Sequence, residues 1–123
     1  MKPAQEKHQL GMLGQKIAQA YLTRLGYKII EENFVCRWGE IDLVAIKNRT
    51  LVFIEVRTRT SSRFLSPLET ITNKKLRSLG RAAKYYLCVK KNLPSNWRLD
   101  CVGIVIRDGM SPLVDLRQNC LLI

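Results

Sequence analysis

The chain has 123 residues, enough for one domain with a hydrophobic core and too few for two. Apolar residues make up 46% of it, which excludes wholesale disorder, and the N-terminus MKPAQEKHQL lacks the apolar run of a signal peptide. A net charge of +11 favours an anionic partner, with nucleic acid before membrane, and no stretch approaches the ~20 apolar residues of a membrane span. Four scattered cysteines without a CxxC pair are typical of a reduced, cytoplasmic protein.

The first half of the chain predicts one helix and three strands. Apolar residues recur at helical spacing over residues 11–25, and Gly26 can end that helix. A short strand over residues 27–30 precedes a hairpin whose strands cover residues 40–47 and 51–58.

The second half predicts a loop rich in Ser, Thr and Pro over residues 60–71 and a helix over residues 73–91. Strands follow over residues 97–106 and, after a turn, residues 113–116. The order helix, three strands, helix, one or two strands predicts a mixed sheet flanked by helices in the α/β class. We interpret residues 1–123 as a single domain, with residues 1–9 as an N-terminal arm and residues 107–123 as a C-terminal extension.

The hairpin raises a question of charge, because acids and an arginine interrupt strands otherwise suited to burial. A two-residue turn at Asn48 and Arg49 fixes the antiparallel register, and a four-residue loop gives the same pairing. An odd-length loop or a bulge would break it. The register predicts two facing pairs: Asp42 with Glu55, and Glu40 with Arg57.

Two carboxylates that face each other need a neutralising partner. At ~5 Å, two such charges repel by ~3 kcal/mol at an effective dielectric of 20, whereas favourable cross-strand pairs contribute only ~0.2–1 kcal/mol. A shared proton, a nearby arginine or a divalent cation could neutralise Asp42 and Glu55, and hard oxygen ligands suit Mg²⁺. The alternative is an ordinary solvated face on which Glu40 and Arg57 form a salt bridge.

The second helix carries two stripes on opposite sides. Its core-facing stripe consists of Leu76, Leu79, Ala83, Tyr86 and Leu87. Its basic stripe consists of Lys74, Arg77, Arg81 and Lys84. Residues 57–91 hold ten Lys or Arg against one acid, so we interpret the basic stripe as a track for phosphates, assisted by Arg59 and Arg63 in the preceding loop. An ordinary solvated face is the alternative.

These residues resemble a known family. The segments GQKIAQAYLTRLGYKIIEEN and GEIDLVAIKNRTLVFIEVRTR, followed by Lys74 at the start of the second helix, are similar to the YraN family of uncharacterised bacterial proteins. The resemblance covers about residues 11–106.

The resemblance implies a restriction-endonuclease-like fold of the PD-(D/E)xK type, similar to Holliday-junction resolvases. It implies that Asp42 and Glu55 hold Mg²⁺ or Mn²⁺ and that Arg57 stands at the position of the lysine in PD-(D/E)xK. Glu40 belongs to the GEID block of the family. Gln15 stands where such proteins often carry a glutamate, which removes one negative charge. Arg57 is always protonated and cannot act as a base, but it can stabilise phosphate charge.

Two functions follow as expectations. The first is a metal-dependent endonuclease that hydrolyses phosphodiester bonds of DNA, including branched DNA, and works as a homodimer as resolvases do. The second is a non-catalytic DNA-binding or interaction module with the same fold, which Gln15 and Arg57 favour. Neither involves a membrane, because the apolar stripe of the second helix is needed for the core.

Overall fold

The computed structural model describes residues 3–60 and 66–120. The elements follow one another as helix, three strands, a short 3₁₀ helix, helix and two strands, which confirms the predicted mixed α/β order. Their bounds are α1 (Pro3–Arg24), β1 (Lys28–Cys36), β2 (Gly39–Lys47), β3 (Thr50–Arg59), the 3₁₀ helix (Pro67–Thr70), α2 (Asn73–Val89), β4 (Asn96–Val105) and β5 (Leu113–Arg117).

The five strands form one sheet in chain order, β1 to β5. Strands β1, β2 and β3 are antiparallel neighbours, α2 then crosses over so that β4 runs parallel to β3, and β5 returns antiparallel. The turn between β2 and β3 uses Asn48 and Arg49 at φ 49° and 64°, the left-handed values that a two-residue hairpin turn requires. The predicted register is therefore confirmed from Lys47 opposite Thr50 to Leu43 opposite Ile54.

Each face of the sheet has its own hydrophobic core. On one face, Ala18 and Leu22 of α1 are buried against a set from the strands that includes Leu43, Ala45, Val52 and Ile54. On the other face, the core-facing stripe of α2 packs on Val44, Leu51, Phe53 and Leu99. The two cores follow from strand alternation, since neighbouring side chains of β3 point to opposite sides.

Two boundaries differ from those predicted. Helix α1 begins at Pro3, so most of the predicted arm 1–9 is helical, and it ends where Gly26 adopts φ +93°. Strand β1 continues to Cys36 rather than ending at residue 30, because β2 pairs with it along its length. No helix of residues 3–60 and 66–120 is both long and apolar enough to cross a membrane.

The predicted C-terminal extension is part of the sheet, because it contains β5 and a tail that returns to β4. The tail is fastened at Asp100, a fully buried carboxylate of β4. Asp100 accepts hydrogen bonds from the Tyr27 hydroxyl at 2.8 Å, from Arg98 Nε at 2.9 Å and from the Asn119 backbone N–H at 2.9 Å. Gln118 donates to the Tyr27 hydroxyl, so one polar cluster joins Tyr27, which directly precedes β1, to β4 and to the tail.

Candidate active site at the break between β2 and β3

The sheet pairing is interrupted at Asp42. The β2–β3 ladder ends with Leu43 opposite Ile54, and the β1–β2 ladder passes over both Asn33 and Asp42. The Asp42 carboxylate instead accepts a hydrogen bond from the Val56 backbone N–H at 2.7 Å. A side chain thus replaces a backbone acceptor, and it holds the carboxyl of Asp42 between the two strands.

Glu55 lies beside Asp42, as the sequence predicted, although the contact does not arise from regular ladder pairing. Its side chain is buried, with 4% exposed. Burial, the charge of Glu55 and a hydrogen bond to Glu55 together raise the pKa of Asp42 to about 8, against which the Val56 N–H acts weakly. The raised pKa favours the protonated form of Asp42 at neutral pH.

Two cations approach the same oxygen of Glu55. Arg57 Nε lies 3.3 Å from Glu55 Oε2, and Lys75 Nζ lies 3.8 Å from it. Arg57 stands two residues along β3 on the same face, as predicted. Lys75 comes from the first turn of α2, where the hydroxyl of Thr72 caps the helix by accepting from the Lys75 backbone N–H.

Lys75 was missed by sequence reasoning, which named its neighbour Lys74. The signal was present, because Lys75 lies one turn before Leu79 and therefore on the core-facing side of α2. A lysine on the apolar side of an amphipathic helix calls for a buried acid as its partner. Lys74, by contrast, is exposed.

Gln15 and Glu40 both contact Asn33, and Glu40 does not face Arg57 as predicted. Gln15 and Asn33 exchange two amide hydrogen bonds of 2.8 and 3.1 Å, and Asn33 Nδ2 also donates to Glu40 Oε1. The predicted facing of Glu40 and Arg57 is absent from the β2–β3 ladder, because that ladder ends at Leu43; Glu40 faces Val35 of β1 instead. Asn33 adopts φ 52°, a left-handed conformation that asparagine tolerates better than most residues.

Gly14 allows α1 to approach the sheet closely enough for these contacts. A Cβ added at Gly14 would lie 1.9 Å from Thr58 Oγ1, so only glycine fits there. Gln15 follows directly and is thereby placed over the break in the sheet.

A cleft of about 290 Å³ opens between α1 and the sheet at this point. Its lining includes Asp42, Glu40, Gln15 and Asn33, with Lys7 and His8 of α1 on the opposite wall. A neighbouring groove of about 460 Å³ is lined by Lys7, Arg57, Thr58 and Arg59. Lys7, His8 and Asn33 were not predicted to belong to the site. The sequence shows only that they are polar, which does not distinguish them from other surface residues. Asp42 therefore lines an open cleft that lies next to a groove lined by three cations, whereas Glu55 lines neither of them.

The four cations of the basic stripe of α2 are all exposed: Lys74, Arg77, Arg81 and Lys84. The core-facing stripe is buried or half-buried, so the predicted orientation of α2 is confirmed. Arg59 lies half-buried at the end of β3 in the groove, and the predicted contact Arg63 lies outside the described residues.

The fold and the site define an α/β protein in which a buried Glu55 lies beside a half-buried Asp42 at a break in the mixed sheet. The chain belongs to the uncharacterised protein family UPF0102, whose sequence pattern matches residues 14–104, and the resemblance to YraN proteins is confirmed. A UPF0102 protein of Syntrophomonas wolfei is 43% identical over 105 residues, covering 85% of this chain and 91% of that protein. One from Geobacter sulfurreducens is 42% identical over 110 residues, covering 89% and 86%. One from Clostridium perfringens is 42% identical over 95 residues, covering 77% and 78%.

Proposed function

We propose that this protein is a metal-dependent nuclease that hydrolyses phosphodiester bonds of DNA, including branched DNA. The observation that carries the proposal is the pair of carboxyl groups of Asp42 and Glu55, held together at the break between β2 and β3. Such a pair is costly for the fold whenever both acids are ionised, because two charges at ~5 Å repel by ~3 kcal/mol at an effective dielectric of 20. Acids brought together at such a cost favour a chemical role over a structural one.

The donor set fits Mg²⁺ or Mn²⁺. A proton neutralises the pair at neutral pH, and a divalent cation could take the place of that proton. Mg²⁺ prefers oxygen ligands and usually keeps several waters while using one or two carboxylates. Within residues 3–60 and 66–120, no three or more His, Cys, Asp or Glu side chains gather as a metal site. Asp42 and Glu55 would therefore hold a cation that remains partly hydrated.

A divalent cation bound there would supply a water of lowered pKa and would stabilise charge on the phosphate. The side chains of the protein have separate tasks. Asp42 and Glu55 hold the cation. Arg57 and Lys75 both lie near Glu55 Oε2 and would stabilise the negative charge that develops on the scissile phosphate. Arg57 cannot take a proton from water, because a guanidinium stays protonated.

The surface around the acid pair suits a polyanion. Lys7, Arg57 and Arg59 line the groove next to the cleft, and the basic stripe of α2 presents four exposed cations. Contacts of this kind hold the DNA backbone without reading its sequence. Four-way DNA junctions are two-fold symmetric, so for such substrates we also propose a homodimer that presents two such sites.

The test is a titration of Mg²⁺ and Mn²⁺ into the wild type and Asp42→Asn by calorimetry, with a branched-DNA cleavage assay alongside. We expect metal-dependent cleavage in the wild type and a loss of at least about 10³-fold in Asp42→Ala and Glu55→Ala, which corresponds to about 4 kcal/mol of activation free energy. Asp108→Asn, an acid in an exposed turn, is the matched control and should cleave normally. Cleavage retained in both alanine variants would eliminate the assignment.

A second candidate is a DNA-binding module of the same fold without turnover. Two contacts favour it: the amide of Gln15 is engaged by Asn33, and Glu55 is already paired with Arg57 and Lys75. This candidate predicts DNA binding that weakens steeply with salt and yields no product with any divalent ion. The cleavage assay separates the two functions.

A further inference from the structure

We propose that the side of α2 next to the β1–β2 turn binds an unpaired segment of DNA. The site is the Trp38 patch, which we define as Arg37, Trp38, Arg81, Tyr85 and Phe34. This inference rests on the proposed function, since it takes DNA as the partner, and it adds that the substrate has a single-stranded portion. Of the site residues discussed above, Arg81 alone belongs to the patch.

Two cations share one aromatic ring in this patch. The guanidinium of Arg37 lies 4.6 Å from the centroid of the Trp38 ring, and that of Arg81 lies 5.3 Å from it. Both arginines are exposed, and no ion pair in the part of the chain that the structure describes includes either of them. Two guanidinium groups on one ring without an acid favour an anion such as a phosphate as the missing partner.

The patch also offers flat surfaces on which a base can stack. Tyr85 is 42% exposed, and its ring lies 6.3 Å from that of the half-buried Phe34. Guanidinium planes stack on bases as aromatic rings do. A positively charged surface interleaved with aromatic rings is the arrangement that proteins use for single strands. Paired bases cannot use it, because their faces are covered by their neighbours in the duplex.

The patch lies within reach of the acid pair. Trp38 precedes Asp42 by four residues, about 13 Å along a strand at ~3.3 Å per residue. Arg81 follows Lys75 by six residues, about 9 Å along α2 at ~1.5 Å per residue. The patch lies on the α2 side of the sheet, where Glu55 contacts Lys75, so at a rise of ~3.4 Å per nucleotide a strand that runs from the patch along α2 reaches Glu55 after about three nucleotides. The substrate is thus DNA whose cleavable bond lies next to an unpaired segment, as in a flap or a fork.

The first experiment uses the two tryptophans of the chain, Trp38 and Trp97. In Trp97→Phe, Trp38 is the only source of tryptophan fluorescence. Oligothymidylate and a hairpin duplex of the same length are titrated separately into this variant, with EDTA present so that nothing is cleaved. We expect saturable quenching of Trp38 by oligothymidylate and little quenching by the duplex. Equal quenching by both ligands, or none by either, would overturn the inference.

The second experiment leaves the fully buried core residues unchanged, although Trp38 itself is half-buried against the core. Binding of labelled oligothymidylate and of the duplex is measured by fluorescence anisotropy for Trp38→Ala, Arg81→Ala and Lys84→Ala. We expect Trp38→Ala to weaken single-strand binding about tenfold, because the ring that carries both arginines is lost, and to change duplex binding about twofold or less. Arg81→Ala also removes a cation of the basic stripe, so it should weaken both ligands, the single strand more than the duplex. Lys84→Ala is the matched control, since it removes one exposed cation without a ring partner and should weaken both ligands alike.

The outcomes separate this inference from the proposed nuclease activity. Equal losses for both DNA forms in Trp38→Ala, with metal-dependent cleavage intact, reject the single-strand site alone. A single-strand preference that depends on Trp38, without cleavage under any metal, rejects the nuclease alone. Failure to bind either DNA at low salt rejects the single-strand site as well.

Discussion

Two clusters in this molecule bury carboxylates, and they are balanced in opposite ways. Asp100 is fully buried, yet a phenol, a guanidinium and a backbone N–H all donate to it. Asp42 and Glu55 are two acids in contact, and the described ion pairs give cations to Glu55 alone. Asp42 accepts one backbone N–H, and burial and the neighbouring Glu55 raise its pKa.

The difference teaches how to separate structural acids from chemical ones. A single buried charge with a full set of donors stabilises the fold that surrounds it, and its removal leaves those buried donors without an acceptor. A pair that remains under-compensated gains from any cation that enters, so its environment favours binding. Burial alone does not distinguish the two clusters, whereas the count of donors and charges around each carboxyl does.

The largest effect on stability should come from the balanced cluster. Asp100→Ala leaves Arg98, the Tyr27 hydroxyl and the Asn119 N–H without their acceptor, and we expect the free energy of unfolding to fall by about 4 kcal/mol. Urea denaturation measures this loss. Asp108→Ala, in an exposed turn, should change the unfolding free energy by less than about 0.5 kcal/mol. A loss below about 1 kcal/mol in Asp100→Ala would contradict a structural role for the cluster.

The under-compensated pair should make stability depend on pH. The pKa of Asp42 is raised from 3.8 to about 8 in the folded protein, so the folded state binds the proton more tightly than the unfolded chain does. The stabilisation is complete below about pH 4 and is lost as the pH rises through about 8. The slope is at most ~1.4 kcal/mol per pH unit.

Asp42→Asn removes this titration. Between pH 5 and 8 we expect the wild type to lose about 3 kcal/mol of unfolding free energy relative to Asp42→Asn, as measured by urea denaturation at each pH. Asp108→Asn should keep the dependence of the wild type. Mg²⁺ at pH 8 should recover part of the loss in the wild type and none in Asp42→Asn, since a ligand of the folded state stabilises it. Parallel curves for the wild type and Asp42→Asn would show that the pair does not share a proton.

Much of the fold was predictable because its signals are local. Asn48 tolerates the left-handed conformation of a two-residue turn, which Arg49 also adopts, and this turn fixes the register of β2 and β3. The amphipathic spacing of α2 likewise gave its orientation. The length of β1 was not predictable, because residues beyond 30 become a strand through pairing with β2 rather than through their own pattern.

The site was predicted in its members more than in its geometry. Asp42 and Glu55 do meet, but Asp42 leaves both ladders and binds the Val56 N–H. This break coincides with the left-handed backbone of Asn33, which lies across from it in β1. Such an interruption depends on three strands at once, so no short stretch of sequence carries its signal. Pairing of Glu40 with Asn33 rather than with Arg57 follows from the same break.

The smallest expected effect is on the cleavage rate, and it should differ between two neighbouring lysines of α2, Lys74 and Lys75. Lys75 Nζ lies 3.8 Å from Glu55 Oε2, whereas Lys74 is exposed on the basic stripe. We expect Lys75→Met to slow cleavage about tenfold, or about 1.4 kcal/mol, with DNA affinity nearly unchanged, because a cation near the scissile phosphate is lost. Lys74→Met should leave the cleavage rate unchanged and lower the slope of log affinity against log salt by about one.

Lys75→Met should also shift the pH dependence of stability. Removing a cation that lies beside Glu55 disfavours the charged form of the acid pair, so the pH at which stability is lost should move upward relative to the wild type. Lys74→Met should leave that pH where it is, since its side chain faces solvent. Urea denaturation across pH 5 to 9 compares the two variants directly. Identical pH profiles together with identical rates would mean that Lys75 is only one more member of the basic stripe, and that Glu55 is balanced by Arg57 alone.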